Sequence, residues 1–367
     1  MKTFLIILLL LIPVFGIGVY VGYYETFPLD IVKSIKNSNT SNSNLKTIND
    51  IPQNSISELI SIKSYNDATL KRSQLINYIW KSDSLPEDFP YKIEKNFVST
   101  NFQNIENLKY IEKIHITQIL DVNSYPYLFI PIESNNKLII YHHGHDGDFT
   151  LAKNYIISLI NDGFSVLAFS MPLTGNNNTP IVNHPNFGKL QLSYHDDLEL
   201  FASNEFSPIK LFLEPIIISL NYVDENYDFE SYSMIGISGG GWTTLLSAAI
   251  DERISKSYSV AGSLPFFMRT NLQDLGDFEQ RDPSLYQITN YLELYIMAGS
   301  GQDRKHIQIL NKNDPCCFSV SSQPKYVDEI QKLQSLPLDF ELWIDESHNE
   351  HKISTNIKKM IQISIEE

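Results

Sequence analysis

The chain has 367 residues, of which 43% are apolar, so it can bury a large core and exceeds the size of one small domain. Its formal net charge is −15, and its basic residues form no cluster. Because phosphate backbones bind to a basic face, we expect no nucleic-acid partner. Charge and composition do not identify a substrate.

An apolar segment near the amino terminus is the first predicted element. After Lys2, residues 4–24 are almost wholly apolar and uncharged, roughly the length of a helix that crosses a bilayer. No clear small-residue cleavage site follows, which favours an uncleaved signal anchor over a signal peptide. We therefore predict that residues 1–24 form a single-pass membrane anchor, with the remaining chain outside the cytoplasm. If the segment is cut, the protein is secreted.

The next segment has the composition of a tether. Serine, asparagine and threonine dominate residues 37–54, and such a composition cannot bury enough surface to offset the entropy of the chain. Residues 25–60 are therefore predicted to be a flexible linker, and residues 61–367 a folded domain. The sequence shows no internal repeat.

Strand and helix patterns alternate through the predicted domain. Apolar runs predict strands at 127–131, 137–141, 164–170, 231–235, 255–261, 293–297, 307–310 and 340–344. Helical patterns lie at 151–161, 211–223, 242–250 and 327–333, with an amphipathic helix after Ser354. This alternation predicts an α/β fold with a mostly parallel central sheet and helices on both faces. Irregular stretches at 172–208 and 264–291 are predicted insertions over the carboxyl edge, either a cap or surface loops.

The first candidate site follows the strand at 137–141, where the chain reads His142-His143-Gly144-His145-Asp146. A backbone N–H at such a turn can point at a developing negative oxygen, and we assign this role to His145. The three histidines also suggest a metal site. Side chains on an extended segment alternate, so these histidines cannot all face one ion, and we predict neither a metal nor a cofactor.

The strongest motif is Gly236-Ile237-Ser238-Gly239-Gly240, between an apolar strand and a helical run. A serine nucleophile must stand exposed on a sharp turn between strand and helix, where glycines let the backbone fold tightly. Ser238 is therefore the candidate nucleophile. The N–H of Gly239, directly after it, is the candidate second oxyanion donor.

A serine nucleophile also needs a base and an acid that orients the base. Asp314 follows the strand at 307–310 and is the candidate acid, with Asp303 as a weaker candidate. His348 and His351 both follow the last strand. We favour His351 because it directly precedes a helix cap at Ser354.

Cys316 and Cys317 are the only cysteines of the chain. Because they are adjacent, they cannot staple distant segments together, and their spacing fits no common zinc pattern. We predict that they are packed or locally reactive thiols.

The order Ser238, Asp314, His351 resembles that of the α/β-hydrolase superfamily from about residue 127 onward. The resemblance also includes the His143-Gly144 turn, although the chain lacks the HGGG pattern of lipases. It implies a Ser-His-Asp mechanism with an acyl-enzyme intermediate and a small-molecule ester or related acyl substrate. A membrane-anchored carboxylic-ester hydrolase is thus expected. The alternatives are an inactive binding protein and a serine peptidase, although the chain has no room for the extra propeller domain of prolyl oligopeptidases.

Overall fold

A computed structural model describes residues 53–269, 272–333 and 335–367, all within a compact unit that covers Asp50–Glu367. The predicted anchor at 1–24 and most of the predicted linker lie outside these residues. In the part of the chain that is described, no helix is both long and apolar enough to cross a bilayer.

A nine-stranded sheet forms the centre of the domain and a two-stranded hairpin lies apart from it. The eleven strands are β1 (Lys92–Glu94), β2 (Leu108–His115), β3 (Tyr127–Pro131), β4 (Lys137–His142), β5 (Ser165–Phe169), β6 (Ile181–His184), β7 (Gly188–Gln191), β8 (Ser231–Ile237), β9 (Ile254–Val260), β10 (Lys305–Asn311) and β11 (Phe340–Asp345). The order in the sheet is β1-β2-β3-β5-β4-β8-β9-β10-β11. Six strands, namely β5, β4, β8, β9, β10 and β11, pair in parallel with their neighbours in this group. The strands β1, β2 and β3 form antiparallel pairs. The prediction of a mostly parallel sheet is confirmed.

Ten α-helices accompany the strands within the described residues. They are α1 (Gln53–Glu58), α2 (Tyr65–Trp80), α3 (Lys153–Asn161), α4 (His195–Glu199), α5 (Lys210–Asn226), α6 (Gly239–Ile250), α7 (Pro283–Ile288), α8 (Tyr291–Gly299), α9 (Lys325–Gln331) and α10 (Thr355–Glu366). The strand predicted at 293–297 is wrong, because these residues lie inside α8. Asn290 caps this helix by accepting hydrogen bonds from the N–H groups of Leu292 and Glu293.

Side chains alternate across the sheet and divide the core between its two faces. Leu138 and Ile140 of β4 join the cluster that contains the apolar side chains of α2, α5, α6 and α8. Ile139 and Tyr141 join the opposite cluster with α3 and α10. Because helices cover both faces, a parallel strand such as β4 is buried on both sides and reads as a continuous apolar run.

The two predicted insertions meet over the carboxyl edge of the sheet. The first contains the hairpin β6–β7 and α4, and the second contains short 3-10 turns and α7. The N–H of Phe278, in the second insertion, donates to Asp196 of the first at 3.0 Å. Both insertions also contact His145, which follows the carboxyl end of β4.

Packing in the domain begins before residue 61. Ile56 is 4% exposed and Ile60 is 2% exposed, and both belong to the main core cluster. The linker that composition predicts at 25–60 therefore ends earlier, because the large apolar residues near its end are buried in the core.

Candidate active site

Ser238 occupies the turn between β8 and α6. Its backbone has φ 56° and ψ −126°, in a region that side-chain-bearing residues rarely adopt. The Ser238 N–H donates to the Val260 carbonyl at 2.9 Å, and the Ser238 carbonyl accepts from the Trp242 N–H at 3.1 Å. These contacts with β9 and α6 hold the strained turn in place, and strain of this kind concentrates at functional sites.

The turn after β4 lies directly against Ser238. A Cβ added to Gly144 would come within 2.7 Å of Ser238 Cβ and 2.9 Å of the Ile237 carbonyl oxygen. Only glycine permits this close approach of the backbone to the Ser238 side chain. The structure therefore brings together the two segments that the sequence analysis singled out, although they lie about a hundred residues apart.

His351 and Asp314 form a hydrogen-bonded pair beyond the carboxyl ends of β10 and β11. Asp314 Oδ2 accepts from His351 Nδ1 at 2.8 Å, and the Asp314 side chain is fully buried. A proton on Nδ1 leaves the lone pair of the ring on Nε2. His351 Nε2 is buried and has no hydrogen-bond partner among the described residues, so it is available to accept a proton.

Three further donors surround the Asp314 carboxylate. Its Oδ1 accepts from the N–H groups of Cys316 and Cys317, and its Oδ2 accepts from Asn311 Nδ2 at 3.0 Å. Burial opposes ionisation, but the hydrogen bonds from His351 and the Cys316 amide outweigh it and lower the pKa of Asp314. Asn311, which no sequence motif indicates, also donates to the Lys352 carbonyl and so links the acid to the histidine segment.

The two cysteines are joined by a disulfide, so the predicted thiols are wrong. Both residues belong to the tight loop whose N–H groups converge on Asp314. The bridge closes a loop between neighbours and connects no distant segments, in agreement with the expectation from spacing.

The competing histidine, His348, is engaged elsewhere. Its Nε2 lies 3.1 Å from Asp345 Oδ2, and its Nδ1 accepts from the Glu350 N–H at 3.1 Å. With both ring nitrogens occupied, His348 has no free lone pair for a second task. Asp303, the weaker candidate acid, is exposed and precedes β10, at the opposite end of that strand from Asp314.

The two residues with the predicted oxyanion donors are in contact. A Cβ added to Gly239 would approach the His145 ring to 2.3 Å, so the ring packs against the Gly239 backbone. Neither the His145 nor the Gly239 N–H donates to a backbone carbonyl outside the helices and strands of the described chain.

The histidines after β4 have separate environments. His142 Nδ1 donates to the His143 carbonyl at 2.9 Å, and burial lowers the pKa of His142 to about 4. His143 contacts the Tyr141 hydroxyl and lies 3.3 Å from Asp146. The three histidines do not converge on one point, because successive side chains leave the backbone in different directions.

His145 instead contacts two carboxylates from the second insertion. Its Nε2 lies 2.8 Å from Glu279 Oε1 and 3.1 Å from Asp277 Oδ2. His195 approaches the same two oxygens from the first insertion. Burial disfavours the charged forms of His195 and Glu279, but their mutual attraction outweighs it, so the pKa of His195 is raised and that of Glu279 is lowered.

A cavity of about 250 Å³ opens beside His351. Its lining includes Ile237, which directly precedes Ser238, together with His143, Tyr155 and Lys358. A small organic group fits in this volume, which is slightly below the usual range of ligand pockets.

Solved structures of esterases resemble this one. Acetyl xylan esterase 1 from Thermoanaerobacterium sp. JW/SL YS485 matches with a TM-score of 0.56 and 14% identity, over 86% of this chain and 98% of that chain. An acetyl xylan esterase from Paenibacillus sp. R4 matches with a TM-score of 0.53 and 14% identity, over 86% of this chain and 99% of that chain. Methylesterase BT1017 has a TM-score of 0.55 and 12% identity, over 84% of this chain and 65% of that chain. At these low identities, the TM-scores establish a shared fold and nothing more.

No family model matches the sequence, and no curated protein matches it.

Proposed function

We propose that this chain, which has the α/β-hydrolase fold and esterases among its structural neighbours, is a serine hydrolase that cleaves carboxylic esters. One observation carries the proposal. His351 bonds to the buried Asp314 through Nδ1 and keeps a free Nε2, while Ser238 occupies a strained turn at the same edge of the sheet. The fold alone does not imply catalysis, so the argument rests on these side chains.

In the proposed mechanism, Ser238 Oγ attacks the acyl carbonyl carbon while His351 Nε2 takes the hydroxyl proton. Asp314 keeps the proton of the imidazole on Nδ1 and stabilises the positive charge that forms on the ring. The tetrahedral intermediate expels the alcohol, which receives the proton from His351. Water then attacks the acyl-enzyme with His351 again as base, releasing the carboxylic acid and restoring Ser238.

The N–H groups of His145 and Gly239 are the proposed donors to the oxyanion. Two contacts support this assignment. The His145 ring lies against Gly239, and the Gly144 backbone approaches Ser238 closely. Removal of one oxyanion donor costs roughly 3 kcal/mol of transition-state stabilisation in serine hydrolases, so the position of this turn matters for rate.

The proposed substrate is a small-molecule ester. The cavity beside His351 has room for a small group, and it is bordered by the aromatic ring of Tyr155 and the cation of Lys358. The similar structures are named acetyl xylan esterases and a methylesterase, and acetyl and methyl groups are small. Their names therefore support a small group on the ester that this chain cleaves.

The same proposal includes the location of the enzyme. The apolar run at residues 4–24 supports a single-pass membrane anchor, with the hydrolase domain on the extracytoplasmic side. Cleavage of this segment would release the domain as a secreted protein.

Covalent labelling tests the proposed nucleophile. The full-length chain is treated with a fluorophosphonate, which reacts preferentially with activated serines, and the labelled peptide is identified by mass spectrometry. We expect the label on Ser238, and we expect Ser238→Ala and His351→Ala to abolish it.

His348→Ala is the matched control, because it removes a nearby histidine that is bonded to Asp345. This variant should keep the label. A folded protein that takes no label on Ser238 would overturn the mechanism and favour a binding protein with the same fold. Loss of the label in His348→Ala but not in His351→Ala would reverse the choice of base.

A further inference from the structure

Four side chains from three separate segments meet near the turn after β4. His145 follows β4, His195 begins α4 in the first insertion, and Asp277 and Glu279 come from the second insertion. One ligand atom from each lies within 4.8 Å of the other three. None of these side chains has a part in the proposed proton transfers.

The spacing of these atoms suits a small cation. His145 Nε2 lies 2.8 Å from Glu279 Oε1 and 3.1 Å from Asp277 Oδ2, and His195 Nδ1 lies 3.5 and 3.6 Å from the same oxygens. A tetrahedral ion with bonds of 2.0–2.1 Å separates its ligand atoms by about 3.3 Å. These four of the six separations lie on either side of this value, and the other two are within 4.8 Å.

A buried nitrogen without a hydrogen-bond partner in the described chain, His195 Nδ1, faces the two carboxylates of the cluster. His195 is 5% exposed and Glu279 is fully buried, yet His195 Nδ1 and Glu279 Oε2 have no hydrogen-bond partner in the described part of the chain. His195 Nε2 bonds to the Pro172 carbonyl at 2.9 Å. If Nε2 carries the proton, the lone pair of Nδ1 faces the cluster, and a backbone carbonyl commonly orients a metal-binding histidine in this way.

The negative charge of the cluster is a second reason to expect a bound cation. With neutral histidines the cluster holds two carboxylates, and that of Glu279 is removed from water. Without an ion, a protonated imidazole must balance the Glu279 carboxylate through its contacts with His145 and His195, whereas a divalent ion balances both carboxylates at once and leaves the imidazoles neutral. Two imidazoles and two carboxylates are ligands that suit zinc.

We propose that His145, His195, Asp277 and Glu279 bind a divalent transition-metal ion, with zinc as the best fit. Four protein ligands complete a tetrahedron, which is the pattern of a structural rather than a catalytic zinc site. The ion would join both insertions to the turn that carries His145. Through the contact of the His145 ring with Gly239, it would hold the proposed oxyanion donors in position.

Metal analysis of the full-length protein in detergent tests the proposal. Protein produced in zinc-supplemented medium should contain about one equivalent of zinc per chain. Removal of the metal with EDTA should lower Tm by roughly 5 °C or more, and ZnCl₂ but not MgCl₂ should restore it. His195→Ala and Asp277→Asn should each lose the bound zinc and the response of Tm to ZnCl₂.

Asp277→Asn guards against a folding defect, since the Asp277 side chain is 49% exposed and its loss removes little packing. His115→Ala is the matched control. It removes another histidine–carboxylate pair, with Glu94 at 3.4 Å, outside the cluster. This control should keep its zinc.

Protein that contains no zinc, takes up none and keeps its Tm in EDTA would overturn the metal site. The four side chains would then form a network of ion pairs with charged histidines. Zinc retained in Asp277→Asn and His195→Ala would overturn the assignment of ligands. Labelling of Ser238 in the same samples reports on the proposed hydrolase separately, so failure of one proposal is distinguishable from failure of the other.

Discussion

His348 and His351 both pair with a buried carboxylate, but only His351 keeps a ring nitrogen without a partner among the described residues. His348 uses Nε2 toward Asp345 and Nδ1 toward the Glu350 N–H. His351 uses only Nδ1, toward Asp314. The second nitrogen therefore distinguishes the two residues. In the sequence, only the helix cap at Ser354 favours His351, because the two residues lie three positions apart after the same strand.

The buried residue His306 leads to a prediction about the pH dependence of stability. Burial and, to a smaller degree, the charge of Arg304 lower the pKa of His306 to about 3. Its imidazole thus stays neutral in the folded state, while the unfolded chain takes up a proton near pH 6.5. Stability is present above this pH and falls as the pH decreases, by about 2 kcal/mol between pH 7 and 5 from this residue.

The variant His306→Phe removes this titration and keeps an aromatic ring between Tyr295 and Phe340. Urea unfolding at pH 7 and pH 5 measures the effect. The decrease in unfolding free energy between these pH values should be about 2 kcal/mol smaller in the variant. An equal decrease in both proteins would mean that His306 is protonated in the folded state or that another group compensates.

At the scale of elements, the amino end of α6 packs closely against the turn after β4, because its first residues are glycines. A Cβ added to Gly240 would come within 2.2 Å of the His142 carbonyl oxygen, and one added to Gly239 would meet the His145 ring. The glycines after Ser238 thus serve two purposes. They form the sharp turn, and they let the helix approach the segment that carries the proposed oxyanion donor.

Gly239→Ala tests this packing. The added methyl group must displace the His145 ring, so we expect ester hydrolysis to fall about 100-fold, a loss similar to that of one oxyanion donor. The rate with a p-nitrophenyl ester and Tm are measured for each variant. Gly188→Asn, in the hairpin turn at φ 74° with no atom near its Cβ position, should retain full activity. Full activity in Gly239→Ala would contradict the proposed role of this contact.

The incorrect prediction of a strand at 293–297 is explained by the burial of the whole helix α8. All nine residues of α8 are buried, so the helix lacks the polar face that reveals a helical period. A short apolar run does not distinguish a buried strand from a buried helix. The Asn290 cap was the one local signal that indicated a helix.

For the whole molecule, the proposed anchor predicts where the protein is found. Membranes from cells that express the full chain should retain it after extraction with alkaline carbonate, because a 21-residue, almost wholly apolar segment binds a bilayer essentially irreversibly. A variant without residues 2–24 should appear in the supernatant. Full-length protein in the supernatant with an intact amino terminus would contradict the anchor, whereas a shortened amino terminus would indicate cleavage and secretion.

The sequence by itself determined the alternation of strands and helices, the turn at Ser238 and the order of the candidate acid and base. These features depend on local chemistry: apolar runs, glycines where the backbone must bend, and polar residues directly after strands. Only the tertiary structure decided that His351 bonds to Asp314, that Cys316 and Cys317 are bridged, and that Asp277 and Glu279 meet His145. The last contact joins residues more than 130 positions apart. Such contacts depend on how the insertions pack over the sheet, and packing leaves no periodic signal in the chain.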